Sequence, residues 1–106
     1  MATTLPSHVS LMTGTSTLRH GIKGNLHTFH APFVSGEGLQ TAAQIFKRMG
    51  YTTAAFVSAA PVKRDTGIAA GFDIFDEPKA AERPGGVTTR KLMQSLDSAP
   101  SGPLFL

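Results

Sequence analysis

The stretch from Thr41 to Ser58, TAAQIFKRMGYTTAAFVS, limits the possible folds more than any other part of the chain. Thr41 followed three residues on by Gln44 is the capping-box pattern, in which each side chain takes the other residue's free backbone N–H at a helix start. Ala42, Ala43, Phe46 and Met49 then fall on one helical face. Lys47 and Arg48 suit the negative end of the helix dipole, and Gly50 suits a left-handed stop. The apolar run Thr52–Ser58 follows at once, and its shortness between breakers predicts a strand covered on both faces. A helix feeding directly into such a strand is half of an α/β unit, so the expected fold class is α/β with parallel strands.

The flanking segments are read against that unit. Residues 5 to 14, LPSHVSLMTG, predict a short helix with Pro6 at its first position, Val9, Leu11 and Met12 as its apolar side, and Gly14 as its end. Thr3 and Thr4 stand just ahead of it. Residues 15 to 38 carry no sustained period and read as a long loop, a length that in a compact domain is functional or disordered. Residues 59 to 71 also read as loop. Phe72 to Phe75 alternates apolar and polar and reads as a brief extended segment. Arg83 to Gly86 reads as a turn, and a third helix is predicted from Val87 to Leu96 with Leu92, Met93 and Leu96 on one face. Leu104 to Leu106 looks like the opening of another buried strand. One complete strand and the start of a second make a marginal sheet, so low stability is expected.

The chain has 106 residues, enough for one small domain. Its 11 Gly and 7 Pro are many for a compact fold but stay below the share of about 25–30% that marks low-complexity disorder. With no cysteine, disulfides, thiolate chemistry and Cys-ligated zinc are excluded. No apolar run reaches the ~18–20 residues needed to cross a bilayer. No basic-then-apolar segment opens the sequence, so no signal peptide is expected, and the composition leaves the compartment open. The net charge of +3 comes from scattered residues, with doublets only at Lys47-Arg48, Lys63-Arg64 and Arg90-Lys91. Without a basic stripe interleaved with aromatics, no nucleic-acid partner is expected.

Few residues offer chemistry. Thr4 lies at or beside a helix N-terminus, where free N–H groups and the positive dipole end favour anions. Its hydroxyl is therefore either a nucleophile stabilised by that dipole and a metal, or a plain cap. His8, His20, His27 and His30 are four imidazoles within 23 residues. They are either ligands and proton carriers or solvated loop residues; His27 and His30 meet no carboxylate before Glu37. Asp76-Glu77 is either a hard-metal pair or a solvated one. Asp65 and Asp73 complete the late acidic group.

The stretch from Thr4 to Gly14, TLPSHVSLMTG, resembles the nucleophile segment of the sulfatase family, within the alkaline-phosphatase-like superfamily. That pattern is Cys or Ser, any residue, Pro, Ser, Arg, then a short apolar stretch ending in Thr-Gly. His20-Gly21 with Asn25 is similar to the His-Gly step that follows it. Thr41 to Val57 resembles the family's helix–Gly-Tyr–strand unit, and Gly71-Phe72-Asp73 and the late helix leading to Pro103-Leu104-Phe105-Leu106 fit in order. The resemblance implies a partial three-layer α/β/α domain in which residues 1–106 are an interior fragment, incomplete at both ends. It places Thr4 at the nucleophile and metal-touching position and His8 where an arginine holds and neutralises the nucleophile. Threonine cannot give the formylglycine aldehyde of sulfatases, because its Cβ methyl would yield a ketone, so an unmodified Thr alkoxide is implied. The implied activity is hydrolysis of sulfate or phosphate esters, small-molecule or glycan, with a divalent ion (Ca²⁺, Mg²⁺, Mn²⁺ or Zn²⁺). The family's acidic ligand sets and its Lys-x-His pair are not found here, Phe56 to Ala59 standing at the latter's place. The alternative is therefore a non-catalytic truncated remnant without the metal ligands.

Overall fold

The computed structural model describes residues 3–25, 32–36, 38–98 and 101–106. The chain is α/β, as expected, with a parallel three-stranded sheet at its centre. Helix α1 covers Thr4–Thr13, the short α2 Thr17–His20, α3 Ala42–Arg48 and α4 Gly85–Asp97. Strands β1 (Thr52–Phe56), β2 (Ile74–Asp76) and β3 (Leu104–Phe105) lie in the order β2-β1-β3. Ala54 pairs with Ile74 and Phe56 with Asp76 on one side of β1, and Thr52 with Leu104 on the other. Parallel neighbours need crossovers. The β1–β2 crossover runs through two 3-10 turns, Ala60–Val62 and Arg64–Thr66, and the β2–β3 crossover through α4.

The α3–β1 unit follows its local code. Thr41 Oγ1 accepts from the Gln44 N–H at 3.2 Å, and Gln44 Oε1 accepts from the Thr41 N–H at 2.9 Å, so both halves of the capping box form. Successive β1 side chains then face opposite sides of the sheet. Thr52, Ala54 and Phe56 share a groove with Leu92 and Leu96 of α4, while Phe105 of β3 stacks on Phe46 of α3 at 4.5 Å between ring centroids. Helices thus cover both faces, but only in part: of β1, only Thr53 and Ala54 are fully buried. The apolar core sits beyond the sheet, where Leu5 and Val9 of α1 meet Ile22, Phe33, Val62 and Ile68.

Several expectations need correction. Thr4, not Pro6, opens α1; Pro6 stands third, still within the first turn, where helical N–H groups have no intrahelical partner. The stretch 15–38 contains the helical turn α2, and 59–71 contains the two 3-10 turns. Of the expected extended segment Phe72–Phe75, Ile74 and Phe75 fall in an edge strand, β2, so the sheet has three strands where the sequence promised one and the start of another. Gly85 and Gly86 are not a turn but the first two residues of α4. Met49 caps α3 and is 64% exposed, so it does not extend the apolar face. Leu92 is half-buried while Met93 and Leu96 are exposed, and no residue of α4 is buried.

Candidate functional site

Helix α1 packs against the Ala60–Val62 turn that leaves the carboxyl end of β1. In open α/β sheets the crevice outside the carboxyl ends of the strands is where ligands bind. Leu5, Pro6 and Val9 bury one side of α1 and orient it, which leaves Thr4 and His8, one turn apart, exposed on the other. His8 Nδ1 lies 2.9 Å from the Thr4 carbonyl oxygen. A carbonyl only accepts, so Nδ1 carries the proton and Nε2 of the neutral ring is the free acceptor.

The cap of this helix is not local. Thr3 occupies the N-cap with extended backbone, but its side chain makes no capping bond. Instead Oδ1 of Asn25, twenty residues on in sequence, accepts from the Leu5 N–H at 2.9 Å. The loop that delivers Asn25 is fastened by His20, whose Nδ1 accepts from the Ile22 N–H at 3.1 Å. Nδ1 as acceptor leaves the proton on Nε2, which donates to Ser10 Oγ of α1 at 2.8 Å. His20 is buried, and burial lowers its pKa below the ordinary histidine value. Of the four histidines, then, His8 lies beside Thr4 and His20 is a structural clamp; His27, His30 and Glu37 lie outside the described residues.

Asn25 also lines a cavity of about 240 Å³ with Ala60, Pro61, Lys63, Asp65, Thr66 and Ala81. Lys63 and Asp65 put one charge of each sign on its wall. The sequence gives no sign that these residues meet, because the 3-10 turns that present Ala60, Pro61, Asp65 and Thr66 have no periodic pattern.

Asp73, Asp76 and Glu77 are engaged elsewhere. Asp73 meets Lys47 Nζ at 2.8 Å. That ammonium, then the Thr53 N–H, holds its carboxyl below the ordinary aspartate range. Asp76 pairs with Arg83 at 2.5 Å and Lys91 at 3.7 Å, and Glu77 accepts from the Arg64 N–H at 2.6 Å. The Arg83 contact to Asp76 Oδ1 is an ion pair without hydrogen-bond alignment. Asp76-Glu77 is therefore a pair of structural anchors, not a cation site. A hard divalent ion gathers about six to eight oxygen ligands. Among the described residues no group of three or more His, Asp or Glu converges, at Thr4 or elsewhere. The described residues do not by themselves fit the divalent ion that the resemblance implies.

No protein-family model, curated protein or solved structure matches the chain. The geometry of α1 and its surroundings is accordingly what a functional reading must rest on.

Proposed function

We propose that the chain is part of a sulfatase-like, alkaline-phosphatase-like domain that hydrolyses sulfate or phosphate esters, with Thr4 as the nucleophile. The observation that carries this reading is that Thr4 is the exposed first residue of a ten-residue helix, and that this helix packs against the turn leaving β1. The partial positive charge of the helix start favours the anionic ester at that point. Thr4 Oγ1 bonds to sulfur or phosphorus, the bond to the departing oxygen breaks, and the alcohol leaves with the hydroxyl proton. Water then cleaves the sulfo- or phospho-threonine and restores the hydroxyl. His8 holds the Thr4 carbonyl through Nδ1–H and so steadies the residue that attacks. A divalent ion belongs to this reading only with carboxylate ligands supplied from outside the described residues.

One observation favours the non-catalytic remnant as a second reading: Asp73, Asp76 and Glu77 are all spent on structural partners. The two readings part in one assay. Hydrolysis of an aryl sulfate and an aryl phosphodiester is measured with Ca²⁺, Mg²⁺, Mn²⁺ or Zn²⁺ for the wild type, Thr4→Ser and Thr4→Ala. Loss of about 10³-fold or more in Thr4→Ala, with activity retained in Thr4→Ser, is expected. An unchanged rate in Thr4→Ala removes Thr4 from the chemistry, and a folded wild type inactive with every metal leaves the remnant reading.

A further inference from the structure

Residues 21–25 lead from the end of α2 back to the start of α1, and side chains fasten them at both ends. Gly21, at φ +77°, turns the chain so that the Ile22 N–H meets the ring of His20, which accepts it at Nδ1 over 3.1 Å. At the other end Asn25 closes the Leu5 N–H. Among the described residues no other hydrogen bond holds residues 22–25. The ring is buried, with its Nε2–H on Ser10 Oγ at 2.8 Å. A further proton on this imidazole can go only to Nδ1, where it faces the Ile22 N–H, donor against donor. The Ser10 bond is the same in both forms of the ring, whereas the Ile22 bond belongs to the neutral form alone.

We propose that His20 is a pH-sensitive latch: on taking a proton it releases residues 21–25, and with them the Asn25 cap on Leu5. The first turn of α1 is then fixed at neutral pH and loosened in acid. The latch stands apart from the hydrolase reading, since it needs no ligand. Charged groups around the ring do not set it. On α1 the other titratable side chain is His8, exposed and bonded to the Thr4 carbonyl; on α2 Arg19 reaches the Gly38 carbonyl. Lys23 is exposed, and Lys63 and Asp65 of the β1–β2 crossover border the cavity at Asn25. Burial is what disfavours the cation in the latched ring, which therefore binds a proton less readily than the ordinary value of 6.5 implies. A released ring titrates at that ordinary value. The latched form is thus favoured in full above 6.5, and each pH unit below it favours release by up to about tenfold.

The test is an NMR titration of the full chain from pH 8 to pH 5. At the upper end the His20 ring should show a bare Nδ1 and a protonated Nε2. The ring, the Ile22 amide and the Leu5 amide should then move together with one midpoint below 6.5. Thr52 and Val57, whose amides bond to Pro103 and Asp76 in the sheet, should keep their signals through that midpoint. In Asn25→Ala, Ile22 should still titrate and Leu5 should not. His20→Asn offers Ile22 a neutral amide oxygen near the place of Nδ1, so there both amides should lose the midpoint. A proton on Nδ1 of the neutral ring, or a wild-type Leu5 amide that stays put while Ile22 moves, overturns the latch. So does a Leu5 midpoint that persists in Asn25→Ala or in His20→Asn. Loss of the Thr52 and Val57 signals together with Leu5 makes the transition global unfolding, which also overturns it. Should His20→Asn fail to fold, the wild-type tautomer and the Asn25→Ala titration decide the matter.

Discussion

Thr41 is fully buried, and three bonds converge on it. Its hydroxyl accepts from the Gln44 N–H at 3.2 Å and donates to the Ala70 carbonyl at 2.8 Å, joining the start of α3 to the segment that enters β2. Thr41→Ala removes the N-cap, at a cost of about 1 kcal/mol. It also removes the bond to Ala70, about 1 kcal/mol net, and one buried methyl group, about 0.8 kcal/mol. The Thr41 N–H to Gln44 Oε1 bond survives, because it needs only the backbone. The expected loss is about 3 kcal/mol, a large part of the 5–15 kcal/mol typical of a domain. Thr41→Ser keeps both hydroxyl bonds and should lose only about 1 kcal/mol.

The chain has one tyrosine and no tryptophan, so urea unfolding is best followed by far-ultraviolet circular dichroism. The slope of stability against urea should stay constant across the three proteins, since the surface exposed on unfolding hardly changes. If Thr41→Ala and Thr41→Ser lie within ~0.5 kcal/mol of each other, the hydroxyl is not what joins α3 to the β2 entry. The capping argument for this unit is then wrong.

Three further outcomes follow from other parts of the structure. Gly71 has φ +91°, and a Cβ there would stand 2.3 Å from the Gln44 backbone nitrogen. Gly71→Ala should therefore cost ~3 kcal/mol or prevent folding. Gly86→Ala, on an open helical position, should stabilise by about 0.5–1 kcal/mol in the same urea titration. His20 is held neutral by burial, so the unfolded chain binds its proton more readily than the folded one. Stability should be full above the unfolded value of 6.5 and fall as the pH drops through it. Urea midpoints from pH 8 to pH 5 should show this fall in wild type and a smaller one in His20→Gln; equal slopes would remove His20 from the pH response.

The parts of the fold that were legible are those whose signals are local. The capping box of α3 forms with both bonds, Gly14 ends α1 in the left-handed conformation, and Leu104–Phe105 does join the sheet. What the sequence hid depends on partners distant in the chain. A Pro-Gly-Gly run reads as a turn, yet α4 starts there. Thr88, in its first turn, bonds to Ser58 at 2.6 Å and accepts from Arg83 Nε at 3.0 Å, anchoring the helix start to the end of β1. Tertiary bonds outweigh the roughly 1 kcal/mol that each helical glycine costs. β2 is only three residues long, too short for alternation to tell a strand from any extended stretch. Its pairing with Ala54–Phe56 and the Asp73–Thr53 bonds settle its register.

The site was less legible than the fold for the same physical reason. From the spacing alone, Thr4 reads as a cap before it reads as a nucleophile, since a hydroxyl beside a helix start serves both ends. The structure weakens the capping alternative without appeal to any relative. The Leu5 N–H is already taken by Asn25, Thr3 makes no side-chain cap, and the Thr4 side chain belongs to the first helical residue, exposed to solvent. Among the described residues, the capping duty at this helix start thus falls on a loop bond closed across twenty residues and not on a threonine hydroxyl. The His20 bonds to Ser10 and Ile22 exist to hold that loop against α1, so the exposed face of the helix is arranged by residues that never touch it. Local pattern can nominate Thr4; the distant cap explains why the Leu5 N–H does not call on a neighbouring hydroxyl.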